Sequence, residues 1–240
     1  MNDPKEIWIV TGSSKGLGRA LVELLAAQTD VQVFGIARSL VADTGNYTHI
    51  TADLSDSQQL LNLELPKAFH AERVVLVNNA ATLGEVRYTG AQDDATIVNS
   101  YVLNVAAPHV LANKVLQASQ EVREVVIVNI SSGAATSAYD GWSLYCAAKA
   151  AIQMQARVMQ REAEQSGRSV RVYAIAPGVL DTDMQTQLRQ SDVTDFSSKE
   201  KFMQLHQEGQ LRSPALAAQK IIDIATGAFL PPDNVYRLDI

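Results

Sequence analysis

Tyr145 and Lys149 stand four residues apart within Leu144 to Gln165, a stretch whose apolar spacing predicts a long helix. Positions i and i+4 share one helix face. A free tyrosine has a pKa of about 10 and is a poor acid–base group at neutral pH. Lowering it by about three units takes about 4 kcal/mol. One positive charge about 4 Å away, at an effective dielectric of about 20, supplies energy of that order. The pair is therefore a workable acid–base couple without histidine. The spacing alone arises by chance on many helices. Ser131-Ser132 stand nearby in sequence, at the end of the apolar run Glu124 to Ile130.

A second group could hold phosphate. In Thr11-Gly12-Ser13-Ser14-Lys15-Gly16-Leu17-Gly18, glycines lie between an apolar run and a helical pattern. Glycine lets the backbone approach a pyrophosphate, and a helix N-terminus offers free N–H groups and a positive dipole end. The G-x-x-x-G-x-G spacing differs from the G-x-G-x-x-G dinucleotide fingerprint, and glycines at such a turn can be purely structural. Gly12 to Gly16 also matches G-x-S-x-G, the nucleophile elbow of hydrolases, with Asp181 and His206 following in order. That elbow needs an earlier strand to carry its oxyanion loop, and none precedes this turn. Arg38 follows the apolar run Val33 to Ile36, where a dinucleotide fold selects its ribose. No Asp or Glu lies at positions 33–38. Arginine there, with Lys15 nearby, favours a 2′-phosphate and hence NADP(H) over NAD(H); the alternative is a solvated surface arginine.

Strands alternating with helices must position these groups. Strands are predicted at Ile7–Thr11, Val31–Ile36, Tyr47–Thr51, Arg73–Val77, Glu124–Ile130 and Val170–Ile175, with a short edge strand at Tyr236–Leu238. Helices are predicted at Leu17–Ala27, Asp56–Phe69 (ended or bent by Pro66), Thr96–Ala118 (kinked or split by Pro108), Leu144–Gln165 and near Pro214. The strands are continuous apolar runs, as a parallel sheet buried on both faces requires. The pattern implies one α/β domain over 1–240, with a doubly wound parallel sheet. The polar excursion Asp181–Leu211 interrupts it and reads as a substrate lid (181–211), with Phe202, Met203 and Leu205 able to close over substrate.

The 240 residues carry a formal net charge of −6 and one cysteine, Cys146. That excludes a disulfide framework and argues against general nucleic-acid binding, which needs a basic face. No apolar run is long enough to span a bilayer, and the first residues lack a signal-peptide pattern. The expectation is a cytoplasmic protein with no nucleic-acid or membrane partner. His49, His70, His109 and His206 are scattered without metal-ligand spacing, so no metal is expected. Cys146 reads as a small buried hydrophobe. Tyr139 and Trp142 either line an aromatic pocket or pack their own loop.

Together, Thr11 to Gly18, Asn78-Asn79-Ala80-Ala81, Asn104, Ser132, Tyr145, Lys149 and Pro177-Gly178 resemble the short-chain dehydrogenase/reductase superfamily over essentially the whole chain. The resemblance implies a Rossmann-like sheet in the order 3-2-1-4-5-6-7, a homodimer or homotetramer, and hydride transfer to or from a carbonyl. It makes Tyr145 the general acid, Lys149 the group that lowers its pKa and binds the nicotinamide ribose, and Ser132 the holder of the carbonyl. Ser132 is preferred to Ser131 because it lies thirteen residues before Tyr145, as in the family. Asn104 is implied to anchor a relay water. Asp53-Leu54 should face the adenine, Asn79-Ala80-Ala81 the central ribose region, and Val179 and Thr182, beyond Pro177-Gly178, the nicotinamide amide. Ala81 departs from the family's usual glycine, and alanine disfavours positive φ. Ser131 to Ala134, Tyr139 to Cys146 and Ala176 to Gln185 are more narrowly similar to the sepiapterin reductase-like branch, including bacterial benzil reductases. The expected activity is NADPH-dependent reduction of a ketone or 1,2-diketone. The alternative is a non-catalytic NADP-sensing module, which tends to lose the active-site set retained here.

Overall fold

The computed structural model describes residues 4–65, 69–190 and 195–239. Seven strands form one parallel sheet in the order β3-β2-β1-β4-β5-β6-β7. They are β1 (Glu6–Thr11), β2 (Val31–Ala37), β3 (Tyr47–Thr51), β4 (Arg73–Asn78), β5 (Glu124–Ile130), β6 (Val170–Ala176) and β7 (Val235–Arg237). Strand side chains alternate between two apolar layers, which is why the runs read as continuously hydrophobic. Trp8, Val10, Val75 and Val128 face α1 (Gly16–Ala26) and α8 (Pro214–Thr226), packing with Leu21 and Ile221. Ile9, Leu76 and Ile127 face α4 (Ala107–Ala118) and α5 (Ser143–Ser166), packing with Leu111 and Ile152.

Strand order reverses between β1 and β4. In open α/β sheets the crevice outside the strand carboxyl ends at such a point is the ligand site. At the opposite ends, Arg73 bridges Glu6 and Glu124, and Glu124 also binds Arg171 at 2.7 Å. This alternating network ties four strands together away from the crevice.

Several elements differ from expectation. The stretch Thr96–Ala118 is α3 (Asp94–Tyr101), a π-helical turn (Val102–Ala106) and α4. Pro108 sits in the first turn of α4, where its missing N–H costs least. The helix predicted at Asp56–Phe69 is only α2 (Ser57–Asn62), capped by Asp56, whose carboxylate accepts from the Gln58 and Gln59 amides; Pro66 lies outside the described residues. The last strand lies one residue earlier than predicted and pairs with β6. The excursion contains α6 (Asp183–Gln190) and α7 (Lys199–Gln207), with residues 191–194 outside the described residues. Among the described residues, no helix is long and apolar enough to cross a membrane.

Candidate active site

A cavity of about 840 Å³ runs along the carboxyl ends of the strands. Arg38 and Asp53 line one end, the turn before α1 lines the middle, and Tyr145 with Trp142 lines the other. The turn is built by close approach. Gly12 has φ +66°, and a Cβ on Gly18 would lie 2.2 Å from the Gly12 carbonyl oxygen. Thr11 locks the turn to the end of β4: its hydroxyl accepts from the Asn79 amide at 2.9 Å and the Ala80 amide at 3.0 Å. The Asn79 side chain donates back to the Thr11 carbonyl. No described non-glycine residue has positive φ, so Ala81 fits its loop without strain.

Most of the predicted cofactor contacts line this cavity: Gly12, Ser14, Lys15, Gly16, Leu17; Arg38, Asp53, Leu54; Asn79, Ala80, Ala81; and Pro177, Gly178, Val179, Thr182. Ser13 and Gly18 do not line it. Ser13 is buried, with its hydroxyl 3.4 Å from that of Tyr47, and Gly18 lies beneath Gly12. The hydrolase alternative, with Ser14 as its nucleophile, finds no support here: no described strand precedes β1 to carry an oxyanion loop. Lys15 donates to Asp183 at 2.9 Å, an exposed contact between the turn and α6. Arg38 lies 3.7 Å from Asp53 and is otherwise exposed.

The acid–base groups sit at the far end. The start of α5 directs Tyr145 into the cavity, where its hydroxyl bonds to Ser132. Ser131 turns away and accepts from Gln153 at 3.2 Å. Lys149 is buried one turn later; its ammonium donates to the Ile130 carbonyl at 2.7 Å and lies 5.4 Å from the Tyr145 ring centre.

Burial pushes Tyr145 up to about 12, against the Ser132 hydrogen bond, and pulls Lys149 down to about 8. In the protein alone the net effect on Tyr145 is therefore upward, set by burial and not by Lys149. Desolvation of the phenolate outweighs a lysine that hydrogen-bonds elsewhere. Tyr145 is thus fully protonated at neutral pH, the form that a proton donor to a carbonyl needs.

Asn104 sits in the π-helical turn and is buried. Its side-chain oxygen accepts from the Thr82 amide at 2.9 Å and its nitrogen donates to the Thr82 carbonyl at 2.8 Å. It pins the segment after β4 and does not itself line the cavity.

An aromatic wall closes the end beyond Tyr145. Trp142 meets Tyr145 edge-on at 5.5 Å and stacks on Phe196 at 4.8 Å, with Tyr139 and Phe202 completing the cluster. Both readings of Tyr139 and Trp142 hold, since they pack together and line the cavity. Leu188, Phe196 and Phe202 bring the excursion down onto this wall. Phe202 and Leu205 line the cavity, whereas Met203 is exposed. The role of Phe196 was not anticipated; it lies 51 residues beyond Tyr145 with no local signal. Trp142 Nε1 and Gln185 Oε1 are buried without hydrogen-bond partners. Cys146 is half-buried beside the cluster, its thiol 3.6 Å from the Ser137 carbonyl. No metal-binding cluster exists among the described residues.

The cleft fits a dinucleotide. The glycine turn lines the cleft with backbone, and buried Lys149 has one protein hydrogen-bond acceptor for three N–H donors. A family model described as short chain dehydrogenase matches residues 6–193, and the chain belongs to that family. Its members are oxidoreductases.

Among its relatives is the (S)-benzoin-forming benzil reductase of Bacillus cereus, 30% identical over 96% of this chain and 98% of that protein. Sepiapterin reductase of Mus musculus is 34% identical over 91% of this chain and 90% of that protein. The crystal structure of the KRED1-Pglu enzyme superposes with a TM-score of 0.82 at 27% identity, covering 96% of this chain and 99% of that one.

Proposed function

We propose that the protein is an NADPH-dependent carbonyl reductase that converts a ketone or aromatic 1,2-diketone, of benzil or sepiapterin type, to an alcohol. The observation that carries this is the protonated Tyr145 hydroxyl, bonded to Ser132 at the inner end of the cleft and flanked by Lys149 and an aromatic wall. The bound cofactor supplies the hydride. Ser132 and Tyr145 hold the carbonyl oxygen between two hydroxyls, which polarises the carbon. Tyr145 gives its proton to that oxygen as negative charge develops there. The Lys149 ammonium stabilises the transient tyrosinate and offers its spare N–H donors to ribose hydroxyls.

Trp142 and Phe202 exclude water and present ring surface to an aryl group, with Phe196 packed behind Trp142. Residues 181–211 act as the lid that completes this wall. Arg38 and Lys15 supply positive charge for a 2′-phosphate, which supports NADPH over NADH. Exposed Val98, Tyr101, Met154 and Val158 on α3 and α5 support a homodimer or homotetramer. The physiological partner is then a small carbonyl compound met in the cytoplasm.

The test follows NADPH oxidation with aromatic 1,2-diketones, pterins, quinones and simple aldehydes, with chiral analysis of the products. Reduction of an aromatic diketone to one (S)-hydroxyketone is the expected result. NADPH binding without turnover of any carbonyl would favour the non-catalytic module instead.

A further inference from the structure

The protein carries a net charge of −6, yet its cleft is cationic. Both carboxylates that line it, Asp53 and Asp183, already face a cation, Arg38 and Lys15 respectively. Lys149, Lys201, Arg212 and Arg237 line it with no carboxylate ion-pair partner among the described residues. Arg212 is occupied by the Leu238 carbonyl at 2.7 Å, and Lys149 belongs to the acid–base pair.

Lys201 is different. It projects from α7 over the aromatic wall, with its ammonium 5.6 Å from the Tyr139 ring centre and 6.0 Å from that of Phe202. Its hydrogen-bond partner there is the Tyr139 hydroxyl, at 3.5 Å. The nearby carboxylate of Asp140 is engaged by Ser197 and Tyr88.

We infer that Lys201 forms an anion subsite, so that the substrate is an aromatic carbonyl compound bearing a carboxylate remote from the carbonyl that is reduced. This rests on the reading of Tyr145 and Ser132 as the carbonyl end. Trp142 and Tyr139 lie between Tyr145 and Lys201 in the chain of ring contacts. An aryl ring seated on that wall turns its far substituent toward the ammonium. An ammonium held over ring faces at the cleft attracts an anion that enters the same cleft, although Lys201 itself is exposed. A guanidine-like or ammonium group would meet a like charge there, and both lining carboxylates already face a cation.

The test uses the full chain with NADPH and three benzils: one with a para-carboxylate, its neutral methyl ester, and one with a para-ammoniomethyl group. The wild type should favour the carboxylate over the ester about five- to tenfold in kcat/KM, mainly through KM, as one partly screened charge pair would. The preference should shrink as salt rises. Lys201→Met should bring the ratio near one, and Lys201→Glu should invert it toward the ammonium compound. NADPH titration verifies that each variant is folded.

Equal use of carboxylate and ester by the wild type, or a preference that survives in Lys201→Met, overturns the subsite. If none of the three is reduced, the carbonyl reading fails. Calorimetric titration of 4-carboxybiphenyl against biphenyl into the NADPH-bound protein then decides the subsite by itself. Tighter carboxylate binding that Lys201→Met abolishes supports it, and equal binding refutes it.

Discussion

Carbonyl reduction should fall as the pH rises through about 8, because that is where Lys149 loses its proton. Burial lowers its pKa from 10.5 to about 8, so the ammonium exists below that pH and the neutral amine above it. With one such group, the charged fraction is about 0.9 at pH 7 and about 0.1 at pH 9, a loss of about tenfold. Tyr145, pushed up to about 12, stays protonated throughout and contributes no inflexion in this range. The assay is kcat at saturating NADPH and ketone from pH 6 to 10 at constant ionic strength. A primary isotope effect with 4-deuterated NADPH verifies that the chemical step is observed. Lys149→Arg provides the control, since a guanidinium remains charged across the range. Its residual rate should lack the fall through pH 8. A flat wild-type profile to pH 10, or the same inflexion in Lys149→Arg, would refute the assignment of the ionisation to Lys149.

Tyr145→Phe removes the hydroxyl bonded to Ser132 and should cut kcat by about 10² to 10⁴, with NADPH affinity measured by fluorescence titration unchanged within about threefold; full turnover would end the proposed mechanism. Arg38→Asp should weaken NADPH relative to NADH by about ten- to a hundredfold, the size of one charged contact, and an unchanged ratio of the two dissociation constants would remove Arg38 from cofactor choice. Glu124 sits between Arg73 and Arg171, and these pairs, against the cost of burial, hold its carboxyl below 4.5. The stability it contributes is therefore complete above pH 4.5 and lost as the pH falls through its folded value. Glu124→Gln should cost about 2–3 kcal/mol and lower the unfolding midpoint by about 5–10 °C near pH 7, with the difference from wild type shrinking in acid; equal midpoints at neutral pH would show that the network is dispensable.

Most of the sheet was legible because each strand is a local apolar run bounded by turn residues, as Glu124–Ile130 illustrates. The split at the π-helical turn has a tertiary cause. The segment after β4 claims the Asn104 amide through Thr82, and the extra residue of that turn carries Asn104 inward. The site divides in the same way. Tyr145 and Lys149 share a helix face through the repeat of the helix itself, so their pairing is written locally. Ser132 and Ser131 are adjacent hydroxyls whose opposite directions, toward Tyr145 and Gln153, come from the extended backbone after β5 and from packing against α5.

The sequence by itself determined the order of strands and helices, the glycine turn, the acid–base spacing and the family resemblance, all set by contacts or patterns within a few residues. Only the tertiary structure decided the rest. It brought Phe196 and Phe202 onto Trp142, paired Lys15 with Asp183, and placed Lys201 over Tyr139. It also decided the protonation of Tyr145, because a pKa depends on how much water the fold removes, and desolvation is a property of the assembled interior.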